Sequence, residues 1–284
     1  MFKKTFYTCV GTITLVFLTC SELCFGQFFS NPHRWNATPN DYCSSAFNCD
    51  PCDITFEYDV WSGVGSCDCD NGTLYTPYPS YVGTRRSLFN GSDLTGWTNV
   101  KGEAPGSGWK VVDGMIFRES NSGDLYVDGK FENFILEFEF KISEKGNSGV
   151  KYRSWNTEGF GLGCEYQIYD DINDAKNPPK YQTASLYDVI VPREGTSKIK
   201  MGEFNKGKII VLGDHIEHYL NDELIVSVDV GSDEWNKAVE KSKFKDVKEF
   251  GVTKIGRIFL QDHNCQVWFK ELYITELQPA DFCY

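Results

Sequence analysis

The segment IFLQDHNCQVWFKELYI, residues 258–274, has the pattern of two β-strands joined by a polar turn. Apolar and polar residues alternate at both of its ends, as in a strand that is buried on one face. Its middle, Gln261 to Cys265, is polar and contains His263, one of four histidines in the chain. Because the strands break there, we expect these residues to lie at the rim of a sheet and to face solvent or a cleft.

Strand-like runs of the same kind recur from about Ser87 to the C-terminus, separated by turns rich in Gly, Asn and Asp. They include GWKVVDGMIFRE, GDLYVDG, FILEFEFKI, SGVKYRSW, CEYQIYD and KIIVLGDHIEHYLNDELIVSVDV. Many short strands at this spacing predict an all-β fold, an antiparallel sandwich. One short helix is expected between Ser232 and Lys243, where Trp235 and Val239 share a face.

The composition of the 284-residue chain limits its partners. The formal net charge is −12, so the chain lacks the basic surface that binds nucleic acid or anionic membranes. Aromatic residues make up 15% of the chain and are mixed with Asn, Asp and Gly. This mixture is typical of a β-rich body with long loops, and it also suits carbohydrate binding.

The first 26 residues have the pattern of a signal peptide. Lys3 and Lys4 precede an apolar run that ends near Leu18, and small residues follow around Gly26. The run is too short for a convincing membrane span. A lipoprotein signal that uses Cys20 is the alternative. We therefore expect an exported protein, located in the periplasm or outside the cell.

Of the 11 cysteines, eight follow the predicted signal peptide, and an even number suits disulfides in an oxidising compartment. Five crowd into residues 27–84, a segment rich in Asn, Asp, Gly and Pro: Cys43, Cys49, Cys52, Cys67 and Cys69. We interpret this segment as a small disulfide-rich module followed by a linker, with Cys283 as the partner of the fifth cysteine. A zinc site is the alternative.

The series of motifs resembles a known family. SLFNGSDLTGWTNV, GWKVVDGMI, FENFILEFEFKISEKGNSGVKYRS, CEYQIYDD, IEHYLND, SKF and IFLQDHNCQVWFKELYI follow one another in order. This order resembles the 3-keto-disaccharide hydrolase domain, across about residues 85–278. The resemblance implies a concanavalin A-like jelly-roll sandwich of two antiparallel sheets and action on oxidised sugars. Residues 279–284 would form a tail.

The first group of candidate site residues lies on two strand-like runs. Glu165 and Gln167 are two residues apart, so both side chains point to one face of a strand. The resemblance places that face in the substrate cleft. Lys151 and Arg153 supply cations nearby in the chain, and Asn147 begins the same run. The alternative is an ordinary polar face with a turn at Asn147.

A second group lies in turns and near strand ends. His263 could act as acid or base near neutral pH, beside Asp262 and Gln261 in the turn. A turn aspartate that caps its own backbone is the alternative for Asp262. Tyr187 is a further rim candidate. His218 is a candidate for substrate binding, although its face of the strand also carries apolar residues.

The resemblance also suggests a disulfide. Cys164 and Cys265 stand where other residues are usual in the family, and each lies beside a candidate site residue. If the family layout brings Glu165 and His263 to one cleft, the two cysteines could pair and brace the site.

The function implied by the resemblance is cleavage of a glycoside oxidised at C3. The ketone acidifies the C2 proton, a base removes it, the C1 substituent leaves, and water completes a net hydrolysis. Glu165 or His263 would be the base, and Arg153, Lys151 or Gln167 would stabilise the enolate. The sequence requires no cofactor, although a divalent cation could replace some donors.

Three alternatives remain open from the sequence. Direct hydrolysis would need a pair of carboxylates. A non-catalytic carbohydrate-binding module would have the same sandwich fold. In a structural envelope protein, the Cys-rich segment would mediate assembly.

Overall fold

A computed structural model gives the structure of the chain. It describes the backbone of residues 3–10, 12–19, 24–26, 65–67, 74–75, 81–157, 160–196 and 198–279, and the side chains of 81–278 except 82, 156–161 and 197. The chain divides into two compact units, residues 1–84 with 277–284 and residues 85–276. The predicted signal peptide and the clustered cysteines, together with Cys283, lie outside the described side chains, so these interpretations stay predictions.

The described backbone is almost entirely β-structure. Its strands are β1 (Lys3–Val10), β2 (Thr12–Thr19), β3 (Cys24–Gly26), β4 (Gly65–Cys67), β5 (Leu74–Tyr75), β6 (Tyr81–Ser87), β7 (Trp97–Thr98), β8 (Trp109–Val112), β9 (Met115–Arg118), β10 (Leu125–Val127), β11 (Phe134–Ile142), β12 (Asn147–Thr157), β13 (Phe160–Tyr169), β14 (Asn205–Leu212), β15 (His215–Leu220), β16 (Glu223–Asp229), β17 (Arg257–Leu260) and β18 (Val267–Pro279). The helices are a 3-10 turn at Pro179–Tyr181 and α1 (Asp233–Glu240).

Two antiparallel sheets form the sandwich. The front sheet has five strands in the order β13-β12-β17-β10-β7. The back sheet has eight strands, in the order β16-β15-β14-β11-β18-β9-β8 with β6 paired to β18. In the first unit, β1 pairs with β2, and β3, β4 and β5 form a small sheet. The predicted all-β sandwich is confirmed.

Alternation along the strands builds the core between the two sheets. In β11, Phe134, Leu136 and Phe138 are buried in the core, whereas Glu137 points to the other face and pairs with Arg85 at 2.8 Å. The front sheet supplies apolar residues by the same rule, including Val150, Tyr152, Cys164, Tyr166, Ile168 and Leu260. Each fully buried large apolar side chain contributes about 1.5–3 kcal/mol relative to an exposed one. The opposite face of the front sheet, called the open face below, carries polar and aromatic residues.

The predicted helix is present as α1, and Ser232 caps its N-terminus. The Ser232 hydroxyl accepts a hydrogen bond from the Trp235 amide at 3.2 Å, which satisfies a free N–H of the first turn. Trp235 is buried and stacks on Phe250 with ring centroids 5.8 Å apart. Neither α1 nor another helix in the described part of the chain is long and apolar enough to cross a membrane.

His218 lies in the core rather than in a binding cleft. Its Nδ1–H donates to the Ala184 carbonyl at 3.0 Å, and its Nε2 accepts from the Tyr152 hydroxyl at 2.7 Å. Burial lowers the pKa of His218 to about 4, so the imidazole is neutral. This corrects the prediction that His218 contacts substrate: its side of β15 faces the apolar interior together with Ile216 and Leu220.

Arg153 is also buried away from the open face. Simple alternation from Lys151 would put it there, but the β12 register shifts between Tyr152 and Trp155, and Arg153 has a φ of 49°. A bulge of this kind turns the following side chain to the other face. The guanidinium instead donates to the Gly213 carbonyl, in the turn between β14 and β15. The predicted catalytic role of Arg153 is corrected to a structural link between the sheets.

We expect His218→Gln to remove part of the pH dependence of folding. The imidazole has its ordinary pKa of 6.5 when unfolded and about 4 when folded. The unfolded state therefore binds the extra proton between these values, and stability is full above pH 6.5 and falls as the pH drops. Between pH 7 and pH 5, the wild type should lose about 2 kcal/mol more unfolding free energy than the variant. Urea unfolding at both pH values measures this, and equal losses would contradict a neutral buried His218.

Candidate functional site

The open face of the front sheet brings several candidate residues into one row. Strand pairing places Lys151 opposite Glu165, and Phe259 opposite Lys151 on its other side. Tyr126 is in turn opposite Phe259. The row therefore crosses four strands, from Tyr126 to Glu165, because directly paired residues point to the same face of a sheet.

Glu165 is the central charged group of this face. It is only 5% exposed, and its Oε2 lies 3.4 Å from the Lys151 ammonium. The hydrogen-bond partners orient the Gln167 amide so that its nitrogen donates to the Ser148 carbonyl at 3.0 Å and to Glu165 Oε1 at 3.3 Å. Burial raises the pKa of Glu165 above its ordinary value, and Lys151 opposes that rise. The predicted pair Glu165 and Gln167 thus lies together on one face, beside Lys151.

Gly149 makes room for the Glu165 carboxylate. It is paired with Gln167 on the neighbouring strand. A Cβ at this position would lie 2.6 Å from Glu165 Oε1, which is closer than atoms can pack. The absence of a side chain at residue 149 therefore lets the carboxylate lie over β12.

Two cationic side chains lie over the aromatic rings of this row. The rings of Tyr126 and Phe259 lie 4.4 Å apart, and both residues are buried. The Arg257 guanidinium lies 4.2 Å from the centre of the Tyr126 ring, and the Lys151 ammonium 5.5 Å from that of Phe259. These contacts hold the cations by attraction to the ring faces. A ligand approaching this face meets Lys151, whose side chain is 19% exposed, before it meets the rings.

Tyr187 reaches the site from a loop outside the sheet. Its backbone amide donates to the Glu165 carbonyl at 3.0 Å. Its ring is half-buried, and the pKa of its hydroxyl is raised, first by burial and next by the Glu165 charge. Tyr187, predicted as a rim residue that binds substrate, therefore lies beside Glu165, and its contact with substrate stays a prediction.

Asp262 holds the turn rather than facing a ligand. Its carboxylate accepts hydrogen bonds from Arg118 Nε at 2.6 Å and from the amides of Ser122 and Gly123 at 2.6 and 2.9 Å. Only 2% of its side chain is exposed. The substrate-binding prediction for Asp262 is corrected to a structural role: its oxygens bind Arg118 and a distant backbone segment, and within its own turn Asn264 N–H donates to it at 3.4 Å.

His263 is exposed at the rim, next to a carboxylate that sequence reasoning missed. Asp124 precedes β10 and accepts from the Asp262 amide at 2.9 Å. Burial raises the pKa of Asp124, whereas Lys151 and His263 lower it. Lys151 and His263 therefore both lie close enough to act on the Asp124 carboxylate at this end of the site. The only sequence signal for Asp124 is its place just before a strand.

Gln261 and Asn147 lie at the same end of the sheet. The backbone N–H of Gln261 donates to the Gly149 carbonyl at 2.9 Å, which continues the pairing with β12 beyond the end of β17. Its side-chain oxygen is buried and has no hydrogen-bond partner among the described residues. Asn147 begins β12 and is half-buried. Gln261 and Asn147 therefore lie near the site, and their predicted binding of substrate stays a prediction.

The predicted disulfide between Cys164 and Cys265 is wrong. Both are free thiols. The Cys265 thiol contacts the backbone of Asn147, donating to its carbonyl at 2.9 Å, whereas Cys164 is paired with Tyr152 five residues further along β12. Five residues of strand span roughly 16 Å, and a disulfide needs Cα atoms within about 7 Å. Cys164 also points into the core, on the opposite side from Glu165.

The described residues show neither a metal-binding cluster nor a deep cavity at this site. No group of three or more His, Cys, Asp and Glu side chains in that part of the chain is arranged to hold a metal ion. A depression of about 290 Å³ lies elsewhere, lined by residues 86–90, 95–96 and 127–128, and contains none of the candidate residues. The divalent cation considered from the sequence stays a prediction.

Comparison with known proteins identifies the family of the chain. Residues 84–275 match the family described as the 3-keto-alpha-glucoside-1,2-lyase-like domain. A 3-keto-disaccharide hydrolase of Bacteroides thetaiotaomicron is 31% identical over 226 residues, which is 67% of this chain and 78% of that protein.

Solved structures show the same fold. A protein of Parabacteroides distasonis, provisionally named a glycosyl hydrolase, superimposes with a TM-score of 0.62 at 29% identity, covering 68% of this chain and 94% of that one. A second protein of that organism, with the same provisional name, gives a TM-score of 0.54 at 22% identity, over 67% and 98% of the two chains. The family match covers more than half of the chain, and the chain therefore belongs to the 3-keto-alpha-glucoside-1,2-lyase-like domain family.

Proposed function

We propose that the protein cleaves 3-keto-glycosides, including 3-keto-disaccharides, by removal of the C2 proton followed by elimination and hydration. The observation that supports this most directly is the buried carboxylate of Glu165, between the Lys151 ammonium at 3.4 Å and the Gln167 amide at 3.3 Å. A base beside fixed donors is what an enolate-forming reaction needs. The Bacteroides relative, a 3-keto-disaccharide hydrolase by name, supports the substrate class.

The reaction balances without an added oxidant or reductant. The C3 ketone acidifies the C2–H bond, the base takes that proton, and the electron pair moves to the C3 oxygen as an enolate. When the enolate collapses, the C1–O bond breaks and the departing oxygen takes a proton. Water then adds across the C1–C2 double bond and gives the free 3-keto sugar.

Glu165 is the base in this proposal. Burial raises the pKa of its carboxyl, which makes the ionised form a stronger base near neutral pH. Lys151 and Gln167 would stabilise the negative charge that forms on the C3 oxygen, because both have donor groups directed toward the Glu165 carboxylate.

His263 is the proton donor to the departing oxygen in this proposal. It is exposed at the rim, where a leaving group can reach it, and an imidazole is a common general acid in catalysis. Direct hydrolysis is less well supported: it needs a second carboxylate, and Asp124, the carboxylate whose charge acts on Glu165, already accepts a hydrogen bond from the Asp262 amide.

Export is also proposed, on the basis of Lys3, Lys4 and the apolar run that follows them. Mass spectrometry of the secreted or periplasmic protein would test it. A mature chain that begins near residue 27 is expected, and an intact Met1 in a cytosolic protein would contradict export.

The first test is cleavage of 3-keto-trehalose and 3-keto-lactose in deuterated water, followed by NMR. We expect the wild type to cleave them with deuterium entering C2. Glu165→Gln should lower kcat/KM by at least about 100-fold, because the base is lost. Glu139→Gln is the matched control: it removes a carboxylate that pairs with Lys270 at 3.2 Å on the back sheet and should leave kcat/KM unchanged.

The other outcomes point to the alternatives. Cleavage without deuterium at C2 would favour direct hydrolysis. Line broadening of intact 3-keto sugars, with no cleavage at any pH, would favour a carbohydrate-binding module.

Gly149→Ala tests whether the Glu165 carboxylate must lie over β12. The new methyl group would meet Glu165 Oε1 at 2.6 Å, so the flexible carboxylate should move. We expect kcat/KM to fall about 10-fold or more, since displacement by about 1 Å is costly in catalysis. The melting temperature should hold or rise, because alanine suits a strand better than glycine. Unchanged kcat/KM in a folded variant would argue against this position for the base.

A further inference from the structure

Lys243 is held firmly by its backbone and neighbours. Ser242 and Phe244 on either side are buried. The Lys243 amide donates to Asp188 Oδ2 at 2.7 Å, and Asp188 also pairs with Lys180. The segment after α1 is therefore fixed to the loop that carries Tyr187.

The Lys243 side chain reaches back toward the Glu165 site. Its ammonium lies 4.3 Å from the centre of the Tyr187 ring. Tyr187 is the residue whose amide is bonded to the Glu165 carbonyl at 3.0 Å. A cation anchored on that ring is therefore close to the edge strand that carries Glu165, although it is 78 positions away in the sequence.

The electrostatics of both partners agree with this placement. The pKa of Glu165 is raised by burial and lowered by Lys151 and then by Lys243. The pKa of Lys243 is lowered by burial and raised by Glu165. The charged groups that act on one or the other are Lys151, Asp124, Asp188 and Lys180.

We infer that Lys243 is a second cationic group of the active site, which acts with Lys151 on the negative charge that develops on the substrate. The inference rests on the proposed function for its substrate. Lys151 belongs to β12, whereas Lys243 belongs to the segment after α1, so the two ammonium groups come from different elements. A C3 oxygen held between them would gain from both charges as the enolate forms.

The kinetic test uses three lysine variants. Lys243→Met keeps the stem and loses the charge, and we expect kcat/KM to fall about 10- to 100-fold, mainly through kcat. Lys243→Arg keeps the charge and should recover part of the loss. The control is Lys237→Met, on the exposed side of α1, which should match the wild type. Wild-type kcat/KM in folded Lys243→Met would overturn the inference.

A titration tests the same placement without turnover. Carboxyl carbons of glutamate labelled with carbon-13 are followed by NMR, and Glu165→Gln assigns the Glu165 signal. Loss of the Lys243 charge should raise the pKa of Glu165 measurably, while Lys237→Met and Lys243→Arg leave it near the wild-type value. No change in Lys243→Met would overturn the placement.

The two readouts separate this inference from the proposed function. If the wild type cleaves no 3-keto-glycoside while the Glu165 titration responds to Lys243, the proposed reaction fails and Lys243 remains part of the site. If the wild type cleaves with deuterium at C2 and neither readout responds to Lys243, the reaction stands and the role of Lys243 is wrong.

Discussion

The pairing of β12 with β13 is the constraint on which the site depends. Side chains alternate along a strand, so Cys164 and Tyr166 can fill the core only if Glu165 and Gln167 point to the open face. The same register puts Lys151 opposite Glu165. A slip of one residue would bury the carboxylate in the core. The burial that stabilises the sandwich therefore also fixes the geometry of the candidate base.

The position of Glu165 carries an electrostatic cost that the surrounding donors offset. A buried carboxylate loses hydration, which raises its pKa. The Lys151 ammonium and the Gln167 amide return part of that lost stabilisation through direct contacts. The Glu165 carboxylate can therefore still ionise, and it is more basic than an exposed carboxylate. This balance suits proton abstraction better than a fully solvated or a tightly ion-paired glutamate would.

The turn between β17 and β18 shows how structural and chemical roles divide among adjacent residues. Asp262 is enclosed and binds Arg118 and two backbone amides. Because that carboxylate fixes the turn, the next residue, His263, is presented at the rim near Asp124. In this polar turn, Asp262 fixes the backbone, and His263 is left exposed to solvent.

The strands, the sandwich and the common face of Glu165 and Gln167 can be predicted from the chain alone, because all three follow from local alternation of side chains. The other features of the site depend on contacts between segments that are distant in the chain. A bulge turned Arg153 away from the face that alternation predicts, and one-dimensional spacing does not encode where a bulge falls. Asp124 and Lys243 join the site through contacts between distant segments, which depend on strand order and loop packing and have no periodic signal in the chain.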